Sequence, residues 1–299
     1  MPASTSAVPD PGSPPASGAR EEPALRVGVV TGASSGIGLY TALGLARTGM
    51  RVVMTGRDRA RTEAARRFVT ERASGAQVET ALADFASLAE VRRLAGEILS
   101  RHGRLDLLVN NAGLFSPKFE RSADGYEMTF AVNHLAPFLL TNLLLDRLKA
   151  SAPARIVTVA SRAHYGARID LATITGPRDW SILKTYGRSK LCNILFTREL
   201  AARLQGSGVV ATSLHPGVVA TTLAQRGGIV DLAWRLRKPF MISAEKGAET
   251  SLFLATAPDP TPFNGGYVAG KALARPDPAA RDDSMARRLW EESARLVAL

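Results

Sequence analysis

The run Val27-Gly28-Val29-Val30-Thr31-Gly32-Ala33-Ser34-Ser35-Gly36-Ile37-Gly38 sets a short apolar strand against three glycines spaced G-x3-G-x-G. A helical pattern from about Ile37 to Thr48 follows them. Gly32 permits the tight turn, Gly36 lets a pyrophosphate come close to the backbone, and Gly38 lets the helix lie against the strand. The first turn of a helix leaves N–H groups without partners and carries the positive end of its dipole, which suits phosphate oxygens. A glycine turn alone says little. One placed between the first strand and the first helix says much more, and Ser34, Ser35 and Ile37 complete the candidate loop.

Outward from this turn, strands alternate with helices. Arg51–Thr55, Val78–Ala83, Leu105–Val109, Arg155–Ala160, Val209–Leu214 and Gly266–Val268 read as further strands. Residues 59–73, Leu88–Arg101, 124–150, Tyr186–Leu204 and Glu245–Ala257 read as helices. Strands that are short, β-branched and apolar on both faces belong to a parallel sheet covered by helices. Right-handed crossovers then predict a Rossmann-like α/β fold: one doubly wound sheet of about seven strands with helices on both faces. Ligands of such sheets bind outside the carboxyl ends of the strands, so the strand-to-helix loops are where function is sought. Residues 1–24, rich in Pro, Ala, Ser and Gly, are expected to be a flexible tail, and 25–299 a single domain.

Composition narrows the class. The chain has 299 residues, of which 45% are hydrophobic and 22% charged, which excludes a disordered or collagen-like chain. Its single cysteine, Cys192, excludes a disulfide framework and a zinc cluster and fits a reducing compartment. No metal site is expected. The first residues lack the order of a signal peptide, and the apolar run Leu135–Leu145 is about half a membrane span, so it reads as a core helix in a cytoplasmic enzyme. The net charge is +11, and Arg47 to Arg72 holds eight arginines against Asp58, Glu63 and Glu71. That excess suits a phosphorylated ligand. No helix-turn-helix, zinc-finger or aromatic-interleaved basic pattern accompanies it, so no nucleic-acid partner is expected.

Further motifs stand on the expected loops. Asp84 follows the third strand, Asn110-Asn111-Ala112-Gly113 the fourth, and Pro216-Gly217-x-x-x-Thr221 the sixth, while Tyr186-x-x-x-Lys190 opens a helix. With the glycine turn these resemble the short-chain dehydrogenase/reductase family over about residues 26–270. Val132-Asn133-His134-Leu135, Ser161-Arg162-Ala163-His164 and the segment from Ala280 to Glu291 are most similar to the retinol dehydrogenase-like reductases. The resemblance implies a nicotinamide dinucleotide held by Gly32, Ser34, Ser35, Gly36, Ile37, Gly38, Asp84, Asn110, Ala112, Gly113, Tyr186, Lys190, Pro216, Gly217, Val219 and Thr221. Pairing through 124–150 and 186–204 into a homodimer or homotetramer is compatible with the resemblance, and a monomer is the alternative. The anchoring N-terminal helix of some animal members has no counterpart here, so no membrane anchor is expected and a retinoid substrate does not carry over from the resemblance.

Cofactor choice follows from charge. Relatives using NAD carry an acidic residue at the end of the second strand; here Gly56 stands there, followed by Arg57. A carboxylate would repel a 2′-phosphate and a guanidinium would pair with it, so NADP(H) is expected over NAD(H). Tyr186 and Lys190, four apart, share one helix face. A phenol near pKa 10 is a poor acid–base group, and an adjacent ammonium, helped by the charge of the oxidised nicotinamide, should lower that value. By resemblance Tyr186 exchanges the proton, Ser161 orients the substrate oxygen, Lys190 also holds the ribose, and Asn133 holds a relay water. His215 is expected to be structural, while His134 and His164 are candidates for the cleft.

These residues point to hydride exchange with a small-molecule carbonyl or alcohol. The alternatives are reduction of a carbon–carbon double bond by the same Tyr and Lys, and a non-catalytic NADP-binding regulator. Residues 218–242 carry Val218, Val219, Leu223, Ile229, Leu232, Trp234, Leu236, Phe240 and Met241, and are expected to form a substrate lid. The substrate expected under such a lid is bulky and largely apolar.

Overall fold

Every residue of Val27–Val30 (β1) and of Leu107–Asn110 (β4) is buried, so these strands have no face to offer water. Such strands are stable only with helices above and below them. A computed structural model describes residues 25–176, 178–217 and 242–299 and shows how they are covered. Around β1 and β4 lie Arg51–Gly56 (β2), Val78–Leu82 (β3), Ala154–Val159 (β5), Val209–His215 (β6), Tyr267–Ala269 (β7) and Ala272–Leu273 (β8). The sheet order is β3-β2-β1-β4-β5-β6-β7-β8, parallel up to β7.

Helices Gly36–Arg47 (α1), Arg59–Arg72 (α2) and Ala244–Thr256 (α6) cover one face. Leu88–Arg101 (α3), Met128–Ala150 (α4), Ile182–Arg203 (α5) and Asp283–Val297 (α7) cover the other. The doubly wound, Rossmann-like α/β domain is therefore present, with eight strands rather than seven. The extra strand is a two-residue antiparallel addition, turned back on β7 at Gly270 and Lys271, both at positive φ. Two exposed residues carry no hydrophobic pattern, so nothing in the sequence announces them.

Because β1 pairs with β2 on one side and β4 on the other, the chain reverses direction across the sheet there. That switch point opens a crevice at the carboxyl ends of β1 and β4. Helix α4 starts at Met128, four residues later than expected, where the Glu127 carboxylate caps the Phe130 N–H. It is long and apolar enough to cross a membrane by length and composition, but 78% of its most apolar window is buried inside this domain. Helix α7 packs along α5, with the Trp290 ring 4.9 Å from Phe138 and 5.8 Å from Phe196. Any pairing of copies through α4 and α5 has to use the sides that α7 leaves open.

Candidate active site

The glycine turn is pinned from behind. Thr31 Oγ1 accepts the N–H groups of Asn111 and Ala112, each at 2.9 Å, and the Asn111 amide donates to the carbonyls of Thr31 and Gly32. Gly32 and Gly36 lie at φ +64° and +60°, where side chains are strained. A Cβ on Gly38 would sit 2.4 Å from the Asn111 amide nitrogen and 2.5 Å from the Gly32 carbonyl oxygen. The first N–H groups of α1 receive no cap from Ser35, whereas α2, α3, α5, α6 and α7 are each capped by their own Asp or Ser. An uncapped N-terminus beside a pinned glycine turn fits a pyrophosphate. Ser34, Ser35, Gly36 and Ile37 line this loop half-buried.

At the end of β2, a Cβ on Gly56 would sit 2.1 Å from Thr62 Oγ1. Thr62, buried in α2, thus fills the place that an acidic side chain would need. Arg57 is exposed, its Nη1 3.9 Å from Asp84 Oδ2, while Asp84 Oδ1 accepts the Ala86 N–H. The Asn110 side chain is turned away from the crevice and donates to Thr141 on α4. Gly113 is where loop, α4 and α5 meet: a Cβ there would lie 3.3 Å from Asn133 Oδ1 and 3.5 Å from Lys190 Nζ.

Asn133 stands in a π turn, Ala131–Leu135, inside α4. Its Oδ1 accepts the Leu114 N–H at 2.8 Å, and its Nδ2 donates to the Leu114 carbonyl and to Ser189 Oγ. Ser189 in turn donates to the Tyr186 carbonyl. The Asn133 side chain is thus spent on tying loop, α4 and α5 together.

Tyr186 meets the Ser161 hydroxyl, which favours the phenolate, but burial outweighs that contact and pushes the phenol up to about 12. The Lys190 ammonium by itself does not bring the phenol below its ordinary value. The Lys190 ammonium lies 5.5 Å from the Tyr186 ring centre and donates to the Val159 carbonyl at 2.9 Å, and burial pulls its own pKa down to about 8. Phe115 lies flat on Tyr186, ring centres 3.7 Å apart and planes at 19°. The sequence offered no sign of that contact beyond its place two residues after Gly113. Ser189 and Asn111 were likewise missed as supports, although both belong to the motifs already quoted.

Gly217, at φ +93°, follows β6 and packs on Ile242, where a Cβ would lie 2.5 Å from Cδ1. Val219, Thr221 and all of the expected lid over 218–242 except Ile242 lie outside the described residues. The histidines do not reach the cleft as acid–base groups. His134 is buried against Phe130 and bonded to Ser293 on α7, and burial pulls it down to about 4. His215 is pulled down to about 4 for the same reason. His164 sits beneath Ser161, and Cys192 is buried with its thiol pushed up.

A family model described as short chain dehydrogenase matches residues 26–228. Retinol dehydrogenase 13 of Homo sapiens is 43% identical over 282 residues, spanning 91% of this chain and 84% of that protein. Retinol dehydrogenase 12 of Mus musculus is 41% identical over 274 residues, spanning 92% and 87%. Among solved structures, an uncharacterized protein from Mycobacterium paratuberculosis superposes with a TM-score of 0.75 at 36% identity, covering 91% of this chain and 93% of that one. A protein from Beutenbergia cavernae, described as an NAD(P) dependent gluconate 5-dehydrogenase with bound NADP, superposes at 0.65 with 29% identity, covering 82% and 94%.

Proposed function

The chain belongs to the short-chain dehydrogenase/reductase family of oxidoreductases, and from that premise we propose that it moves a hydride between NADP(H) and a carbonyl or alcohol carbon of a bulky, largely apolar small molecule. The observation that carries this is the meeting of Ser161, Tyr186 and Lys190 beside Gly113, next to a helix N-terminus that no side chain caps. Gly32 to Gly38 would hold the pyrophosphate, Asp84 the adenine end, Lys190 the nicotinamide ribose, and Pro216 and Gly217 the carboxamide. When bound, the nicotinamide supplies or takes up the hydride.

The protein handles the proton. A phenol pushed up to about 12 is a donor at neutral pH, which suits carbonyl reduction: Tyr186 gives its proton to the oxygen as the carbon becomes an alcohol. Ser161 orients that oxygen by donating a hydrogen bond. In the reverse direction Tyr186 takes the proton back. Preference for NADP(H) rests on Arg57, an exposed guanidinium whose long contact with Asp84 a 2′-phosphate would compete with, beside a Gly56 that cannot carry a carboxylate. The apolar substrate class rests on Phe115, stacked on Tyr186, and on Leu183, 77% exposed one turn before it. Retinol, in the names of the relatives, is an alcohol of that class.

The test is cofactor oxidation with NADPH and NADH in parallel against aldehydes, ketones, phenanthrenequinone, retinal and an enone, with products identified. NADPH-dependent formation of alcohols is expected. A saturated ketone from the enone would instead assign double-bond reduction, and tight cofactor binding without turnover of any compound would assign a regulator.

A further inference from the structure

We propose that His164 is a positioning residue for Ser161, acting from a clamp that holds the turn after β5 between α5 and the C-terminal segment. The inference rests on the roles proposed above for Ser161 and Tyr186. His164 is fully buried, and both of its ring nitrogens are engaged. Nε2 faces the backbone N–H of Asp277 at 3.1 Å, and an amide can only donate. Nε2 must therefore be the acceptor, which leaves the proton on Nδ1. From there it is given to the Ser161 carbonyl, 2.6 Å away. One neutral tautomer satisfies both contacts, and burial opposes adding a second proton.

The segment that His164 reaches is itself stitched down. The Asp277 carboxylate accepts the N–H groups of Gly166 and Ala279, each at 2.9 Å, and lies 3.5 Å from Arg168. Tyr165 donates its hydroxyl to the Arg275 carbonyl at 2.6 Å. The imidazole is wedged between the rings of Tyr165 and Tyr267, with centres 4.2 and 4.9 Å away. On the opposite side, a Cβ on Gly187 would come within 2.6 Å of the Ala163 carbonyl oxygen. Helix α5 thus lies directly on the backbone of the turn, one residue after Tyr186. The turn has α5 against one side and the residue 275–279 segment tied to the other. Ser161 faces Tyr186 in the register that these two contacts allow.

His164→Phe keeps the packed ring and removes both hydrogen bonds. Its kcat with NADPH and phenanthrenequinone should fall about 10- to 100-fold, as displacements of a catalytic group near 1 Å do, while KM for NADPH stays within about twofold. His164→Asn places an amide nitrogen where Nδ1 was and should recover much of the loss. Gly187→Ala, which presses on the turn from the other side, should lower kcat in the same way. In a Ser161→Ala background, His164→Phe should cost nothing further, because the group it positions is gone. In crystals of His164→Phe, the separation of Ser161 Oγ and Tyr186 Oη should change by about 0.5 Å or more.

A parent-like kcat in both His164→Phe and Gly187→Ala would overturn the proposal. So would a loss of equal size in the Ser161→Ala background, which would mark His164 as merely structural, or an unchanged Ser161–Tyr186 separation in the crystals. If His164→Phe does not fold, Gly187→Ala carries the same comparison in the parent and in the Ser161→Ala backgrounds. Ser161→Ala turning over at the parent rate would bring down the role of Ser161 itself, and the clamp with it.

Discussion

Tyr186 and Lys190 stand one turn apart on α5, and burial moves their proton affinities in opposite senses, up to about 12 and down to about 8. Carbonyl reduction draws on a protonated phenol and a charged ammonium. Below about pH 8 both are in place; above it Lys190 discharges first. The rate with NADPH should therefore be level near neutrality and fall as pH rises through about 8, read from kcat between about pH 6 and about pH 10. A flat profile across that range would remove charged Lys190 from the chemistry. Tyr186→Phe should keep NADPH binding, measured by fluorescence, and lose about 10²–10⁴-fold in turnover. Arg57→Ala should weaken NADPH by about 10- to 150-fold and leave NADH nearly unchanged, since a charge-assisted contact is worth about 1.5–3 kcal/mol. Equal losses for both cofactors would show that Arg57 serves its contact with Asp84 instead.

At the scale of elements, local chemistry marks most helix starts. Ser181 caps the Lys184 N–H, so α5 begins at Ile182 rather than at Tyr186, and Tyr186 is held inside a formed helix. The π turn in α4 left no trace in the hydrophobic pattern, because a single widened turn shifts the spacing by one residue. It is nevertheless the segment that carries Asn133. In helix α7, Met285, Leu289 and Leu296 stand at helical spacing, with Leu289 buried and Met285 and Leu296 packed at the edge of the core. Leu289→Ala should lower stability by about 2–5 kcal/mol, measured by urea unfolding, because α7 and α5 cannot both relax into the gap. A change under about 0.5 kcal/mol would show that α7 is only loosely docked.

For the whole molecule, α7 lays the Trp290 ring over Phe138 of α4 and Phe196 of α5. A chain ended before Asp283 loses Trp290, uncovers Phe138 and Phe196, and should self-associate, seen by light scattering, under conditions where the full chain keeps its mass. Identical scattering from both chains would mean that Phe138 and Phe196 are shielded without α7. The first 24 residues lie outside the described part of the chain. Their Pro/Ala/Ser-rich composition leads us to propose that removing them leaves melting temperature and turnover unchanged.

What the sequence by itself determined is whatever depends on neighbours along the chain. Glycine spacing after an apolar run, alternation of strand and helix, and Tyr four residues before Lys are local facts, because backbone freedom and helical pitch act over a few residues. These were enough for the sheet, the crevice and the family. Only the tertiary structure decided which groups are spent and which are free. Asn110 turned to Thr141 and Asn133 to Leu114, Thr62 closed off Gly56, and His164 joined Ser161 to Asp277 across more than a hundred residues. Burial likewise outweighs the Lys190 ammonium at Tyr186, since desolvation comes from every element packed around the phenol rather than from the lysine one turn away.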